Sequence, residues 1–200
     1  MSVSAADIKK LHDQTGAGVI DCKRALEEAG GNFEEAVALL RKKGVKVATK
    51  RAAKPTTQGL VCSYIHAGGQ VGVLVEVNCE TDFVARTEDF RTFCEEVAMQ
   101  IAAMRPRWVA PEDVPAEALE REREILREQA LAEGKPAQVV DKMVEGRLRK
   151  FYEENCLLKQ PYIRNDSQTI EDLLNDLMAK TGEKVAIRRF VRYQVGEEIG

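Results

Sequence analysis

The 200-residue sequence has little of what catalytic and metal-binding sites are usually built from. Its two histidines, His12 and His66, lie far apart, and its five cysteines (Cys22, Cys62, Cys79, Cys94, Cys156) are widely spaced, without a CxxC pair. Neither a zinc site nor a disulfide framework is expected; reduced, mostly buried thiols are. No GxxxxGK[ST], GxGxxG, HExxH or GxSxG sequence occurs, which removes the familiar nucleotide, zinc-protease and hydrolase motifs. Cys62 and His66 stand four apart in an alternating stretch. On a strand that is roughly 13 Å, too far for a nucleophile and its base. The sequence points away from an enzyme, and no cofactor or metal ion is expected. No apolar run approaches the length of a membrane span, so no membrane partner is expected. The N-terminal MSVSAADIKK has no signal-peptide core, which predicts a cytoplasmic protein. A net charge of −3 argues against direct binding of nucleic acid.

What is present is organised around Val71–Arg86, VGVLVEVNCETDFVAR. Val71, Val73, Val75, Val77 and Cys79 alternate with Gly72, Leu74, Glu76 and Asn78, the period of a half-buried strand. The alternation stops at Thr81. A helical period follows, with Phe90, Phe93, Cys94, Val97, Ile101 and Met104, and is read as one helix beginning near Thr81. Thr81 stands where a hydroxyl would cap free helical N–H groups, and Asp82 lies in the first turn, where the helix dipole favours a carboxylate. Phe83 occupies the corner between strand and helix, as a core plug or a projecting anchor.

Residues 1–44 read as three short helices. Ser4 with Asp7 and Asn32 with Glu35 mark helix starts, and Thr15-Gly16-Ala17-Gly18 and Gly30-Gly31 mark breaks. Arg41 to Lys54 is basic and is read as a solvated linker helix, with a nucleic-acid arm as the alternative. Pro55-Thr56-Thr57 marks a boundary. Gly59–His66 and Val71–Cys79 flank a Gly-Gly turn and predict a hairpin. A charged helix over Leu119–Glu133 ends at Gly134-Lys135-Pro136, and a second carries Val140, Met143, Val144, Leu148 and Phe151. A last helix is capped by Thr169 with Asp172 and closed by Gly182. The alternating Val185–Val195 follows as a returning strand. The sheet's inner valine face needs a helical cover, and its other face is left open. Tyr64, Ile65, Leu74 and Phe190 make that second face partly apolar.

Several long motifs now carry a resemblance. Thr15–Leu26 (TGAGVIDCKRAL), Val77–Arg86 (VNCETDFVAR), Gly134–Phe151 and Leu157–Tyr162 (LLKQPY) are similar to the signatures of the bacterial translation elongation factor Ts family, over about Ala5 to Gly196. The resemblance implies an α+β fold in two parts. Residues 1–54 would form a three-helix, ubiquitin-associated-like domain with its basic linker. Residues 55–200 would form an α+β core, for dimerisation and exchange, with a small three-stranded antiparallel sheet and helices. It implies guanine-nucleotide exchange on elongation factor Tu. The first domain would dock through Val19, Ile20 and Lys23, while Thr81, Asp82, Phe83 and Val84 disturb the partner's magnesium and phosphate site. Two departures bear on this. Val19 and Ile20 stand where members often carry paired methionines, and Gln100 where many carry a histidine, so no contact by that histidine transfers. A single core subdomain resembles the short members, and a homodimer through the open sheet face is expected. The reading from another class is a ubiquitin-associated-like adaptor without exchange activity, which has no need of the TDFV corner.

Overall fold

The computed structural model describes residues 3–134 and 136–198. At the N-terminus, Ser4 Oγ accepts the Asp7 N–H at 3.1 Å and starts α1 (Ala5–Thr15). Gly16, at φ +63°, closes it in a conformation that only glycine adopts without strain. α2 (Val19–Glu28) follows, and then α3 (Phe33–Lys50), capped by the Asn32 side chain on the Glu35 N–H. Leu11, Cys22, Leu26, Ala36 and Leu40 form a small core of their own. The third helix does not stop near residue 44. It runs unbroken to Lys50, well into the basic stretch; Lys43 pairs with Asp21 at 2.6 Å, and Arg51, just past its end, pairs with Glu80 at 2.5 Å. Its first half carries Leu40 into the small core, and its second half lays Val47 against the main one.

The main part is built on the antiparallel sheet β1 (Gln58–Ile65), β2 (Val71–Cys79), β5 (Val185–Gln194), in spatial order β1-β2-β5. Val73, Val75, Val77 and Cys79 point inward, as their alternation predicts. They meet Phe90, Val97 and Ile101 of α5 (Glu88–Met104) and Ile170, Leu177 and Met178 of α8 (Ile170–Thr181). Each large apolar side chain so buried contributes roughly 1.5–3 kcal/mol. Between α5 and α8 lie an antiparallel helix pair, α6 (Ala116–Ala132) and α7 (Ala137–Asn155), with its own apolar seam. A two-stranded ribbon, β3 (Pro161–Tyr162) with β4 (Asn165–Thr169), leads into α8. The sequence reading had no strand there. Lys135, within the expected break between α6 and α7, lies outside the described residues.

Two expectations are corrected. The helix expected from Thr81 onward is two helices, α4 (Asp82–Ala85) and α5. Thr87 is a second cap, its hydroxyl accepting the Phe90 N–H at 3.3 Å, so the chain turns between them. Phe190 does not join Leu74 on the open face. Glu76 pairs with Arg189 but Val77 pairs with Ile187, so Arg188 is an extra residue, a bulge. Inserting one residue reverses the sidedness of everything beyond it. Ile187 and Phe190 therefore turn to the core, and Val191 and Tyr193 turn to the open face. Tyr64 also packs on the core side, opposite Val73.

Candidate functional site

β2 delivers the chain to the corner at Glu80–Ala85, where a cap, a thiol bond and two buried side chains fix its shape. The Thr81 hydroxyl accepts the Val84 N–H at 3.4 Å. The Cys79 thiol donates to the Thr81 carbonyl at 3.1 Å. Burial pushes that thiol up to about 11, so at neutral pH it keeps the proton this bond needs. Val84 and Ala85 are buried and hold the turn down. Asp82, in the first turn, pairs with Arg86 one turn on at 2.7 Å. Phe83 is left standing in water, 79% exposed. Of the two readings of this aromatic, core plug and projecting anchor, only the second fits that number. A phenyl ring held out in solvent on a braced backbone is pre-organised to fill a pocket of a partner.

Two side chains that sequence reasoning missed hold the same corner. Glu183 accepts the Thr81 N–H at 3.1 Å and the Thr81 hydroxyl at 2.7 Å. Glu80 accepts the Lys184 N–H at 2.7 Å and the Arg51 guanidinium at 2.5 Å. The Lys184 N–H, followed by Arg51, holds the Glu80 carboxyl below the usual carboxylate range. Glu80 lies within Val77–Arg86, but Glu183 is 102 positions from Thr81 and carries no local signal.

Val19 and Ile20 open α2 and are exposed at 57% and 69%, while Cys22, Ala25 and Leu26 on the same helix are buried. Lys23, one turn on, is exposed and pairs loosely with Glu27 at 3.8 Å. The loop before this apolar pair rests on the main core: the Lys180 ammonium lies where a Gly16 side chain would begin, and pairs with Asp89 at 2.5 Å. Gln100 is not at this surface. It is fully buried, donating to Gln160 and the Pro161 carbonyl and accepting the Ile163 N–H at 3.0 Å. Lys42, Lys46 and Lys50 remain exposed along α3.

Among the described residues no group of three His, Cys, Asp or Glu could hold a metal ion, and no helix is long and apolar enough to cross a membrane. Exposed apolar side chains on braced backbone make a surface for docking another protein. The comparisons identify the family. The family model described as Elongation factor TS matches residues 5–197. The elongation factor Ts of Moorella thermoacetica is 60% identical over 197 residues, covering 98% of this chain and 97% of its own length. That of Caldanaerobacter subterraneus subsp. tengcongensis is 58% identical, covering 98% of each chain. That of Carboxydothermus hydrogenoformans is 57% identical over 195 residues, covering 98% of this chain and 90% of its own. The chain is thus a translation elongation factor by class. It belongs to the elongation factor Ts family.

Proposed function

We propose that the protein is a guanine-nucleotide exchange factor that binds elongation factor Tu carrying GDP and speeds the release of that GDP. The observation that carries this reading is Phe83, exposed on a corner whose every neighbour is tied down. GDP and its magnesium ion are held in such a partner by phosphate–amide and carboxylate–metal contacts. A second protein hastens release only by binding the opened site better than the closed one. Phe83 would wedge between elements of the partner and shift its phosphate loop. Asp82 would bring negative charge to the metal shell once the partner displaces Arg86. Thr81 and Val84 would set the wedge, one as cap and one as buried anchor. By linkage, bound GDP weakens the factor's affinity by the ratio in which the factor weakens GDP's.

In this reading the protein works as two units. Residues 1–54 would dock through Val19, Ile20 and Lys23, and residues 55–200 would deliver the corner, so one grip raises the local concentration of the other. The working particle would be a homodimer, paired through the open face of the sheet, in the cytoplasm, without a cofactor and without catalytic chemistry of its own. Elongation factor Tu loaded with a fluorescent GDP tests the reading. Mixing with the protein and excess unlabelled GDP is expected to accelerate loss of signal in proportion to protein added. Binding without any acceleration would mark an adaptor and overturn the proposal.

A further inference from the structure

α4 is a single turn of four residues, closed by the Ala85 N–H on the Thr81 carbonyl at 3.3 Å and the Arg86 N–H on the Asp82 carbonyl at 3.2 Å. One turn of helix has no stability of its own, because nucleation fixes several residues for each bond gained. Its direction, and so the direction of Phe83, is imposed from outside. The turn between α8 and β5 supplies the means. Glu183 Oε1 takes the Thr81 hydroxyl at 2.7 Å, while Oε2 takes the Thr81 N–H at 3.1 Å. A hydroxyl has one hydrogen. With that hydrogen on Glu183, the oxygen's lone pairs are free to receive the Val84 N–H, the bond that starts α4. The next residue repeats the lacing: the Lys184 N–H holds Glu80, and the Lys184 ammonium holds the Ala52 carbonyl at 2.6 Å, beyond the end of α3. Residues 183 and 184 thus grip residues 81 and 80, and Arg51, just past the end of α3, closes the set on Glu80.

We infer that Glu183 is a positioning residue for exchange: by fixing the Thr81 hydroxyl it aims the first turn of α4, and with it Phe83, at the partner. It touches neither partner nor nucleotide. The inference rests on the exchange reading above. A loosely held wedge must be ordered during binding, and that ordering is subtracted from what opens the nucleotide site. Because Glu183 acts through Thr81, its effect shrinks where the hydroxyl is already gone, leaving only its bond to the Thr81 N–H. The same geometry ties the corner to α3 through Glu80 and Arg51, so both halves of the chain set the wedge.

The test uses the full chain with fluorescent-GDP elongation factor Tu, read as the release rate at saturating factor, beside the melting temperature of each variant. The set is Phe83→Ala, Glu183→Ala, Glu183→Gln, Thr81→Val, Thr81→Ser and the double variant Glu183→Ala with Thr81→Val. Losing a hydrogen bond to a charged acceptor is expected to slow saturating release about ten- to a hundredfold in Glu183→Ala and Thr81→Val. Thr81→Ser, which keeps the hydroxyl, is expected to recover most of what Thr81→Val loses. The double variant is expected to lose clearly less than the product of the two single losses. Glu183→Gln preserves shape but presents an N–H to the hydroxyl oxygen; it is expected to melt with the wild type and still release slowly. Wild-type release by Glu183→Gln and Thr81→Val, with Phe83→Ala slow, overturns the positioning role and leaves the exchange reading standing. Strictly multiplied losses in the double variant overturn action through Thr81. Normal release by Phe83→Ala instead fails the exchange reading itself.

Discussion

Asp176 sits on α8 facing α3, near Arg41 and Asp172, with the Gln168 amide donating to it at 3.4 Å. Burial outweighs the attraction of Arg41 and pushes its carboxyl up from 3.8 to about 6. An acid whose value rises on folding stabilises the fold only while protonated. That contribution is complete below about 4 and is lost as pH rises through about 6. Asp176→Asn removes the charge, so it is expected to match the wild type at pH 4 and exceed it by about 1–3 kcal/mol at pH 8. Denaturant titrations at the two values check this, and equal gains at both would reject the assignment. The same scale shows what a local reading recovers. The caps at Ser4, Asn32, Thr81 and Thr169 are each made by a side chain and an N–H three positions on, so they are legible in the sequence. The bond from Glu183 to Thr81 spans the core and depends on where α8 ends, which only the packed fold determines.

At the scale of elements, α3 and α8 cross so closely that a side-chain carbon at Gly44 would lie 2.0 Å from the Asn175 carbonyl oxygen. Alanine at this position would gain about 1 kcal/mol in helix propensity. Parting two helices whose backbones already touch costs about 3 kcal/mol or more, the upper end for overpacking, so the clash wins. Gly44→Ala is therefore expected to lower the melting temperature by about 4–8 °C for a chain of this length. A rise would show that the helices separate freely. Strand faces were legible wherever alternation was unbroken, as in β2, and illegible past the bulge at Arg188. Val185, Ile187, Val191, Tyr193 and Val195 read as one stripe by number. In the fold, one extra residue divides that stripe between two faces.

For the molecule as a whole, the open face of the sheet is an apolar surface that the described residues leave uncovered. Val61, Ile65, Leu74, Val191, Tyr193 and Val195 are all exposed on it, around a single Glu76–Arg189 pair at 2.7 Å. A contiguous apolar face of this kind is covered in a stable particle, and a two-fold pairing sets each patch on its own copy. Light scattering at micromolar concentration is expected to give twice the chain mass. Leu74→Asp, which puts a charge at the centre of the face, is expected to give one chain mass without unfolding. A wild-type mass of one chain at every concentration would contradict the pairing. The α+β class, with helices at the N-terminus and a small antiparallel sheet, was legible from spacing and caps. Which strand residues meet at that face was not, because the bulge decides it.

In the exchange reading, the braced corner at Glu80–Ala85 presents Phe83 to elongation factor Tu. Phe83→Ala measures it most directly, through the saturating rate of GDP release beside a thermal melt. Phe83 is mostly exposed in the free protein, so its removal leaves the melting temperature within about a degree. As an interface anchor it is worth about 2–4 kcal/mol, so release is expected to slow about thirty- to a thousandfold. Normal release by a well-folded Phe83→Ala would contradict the account.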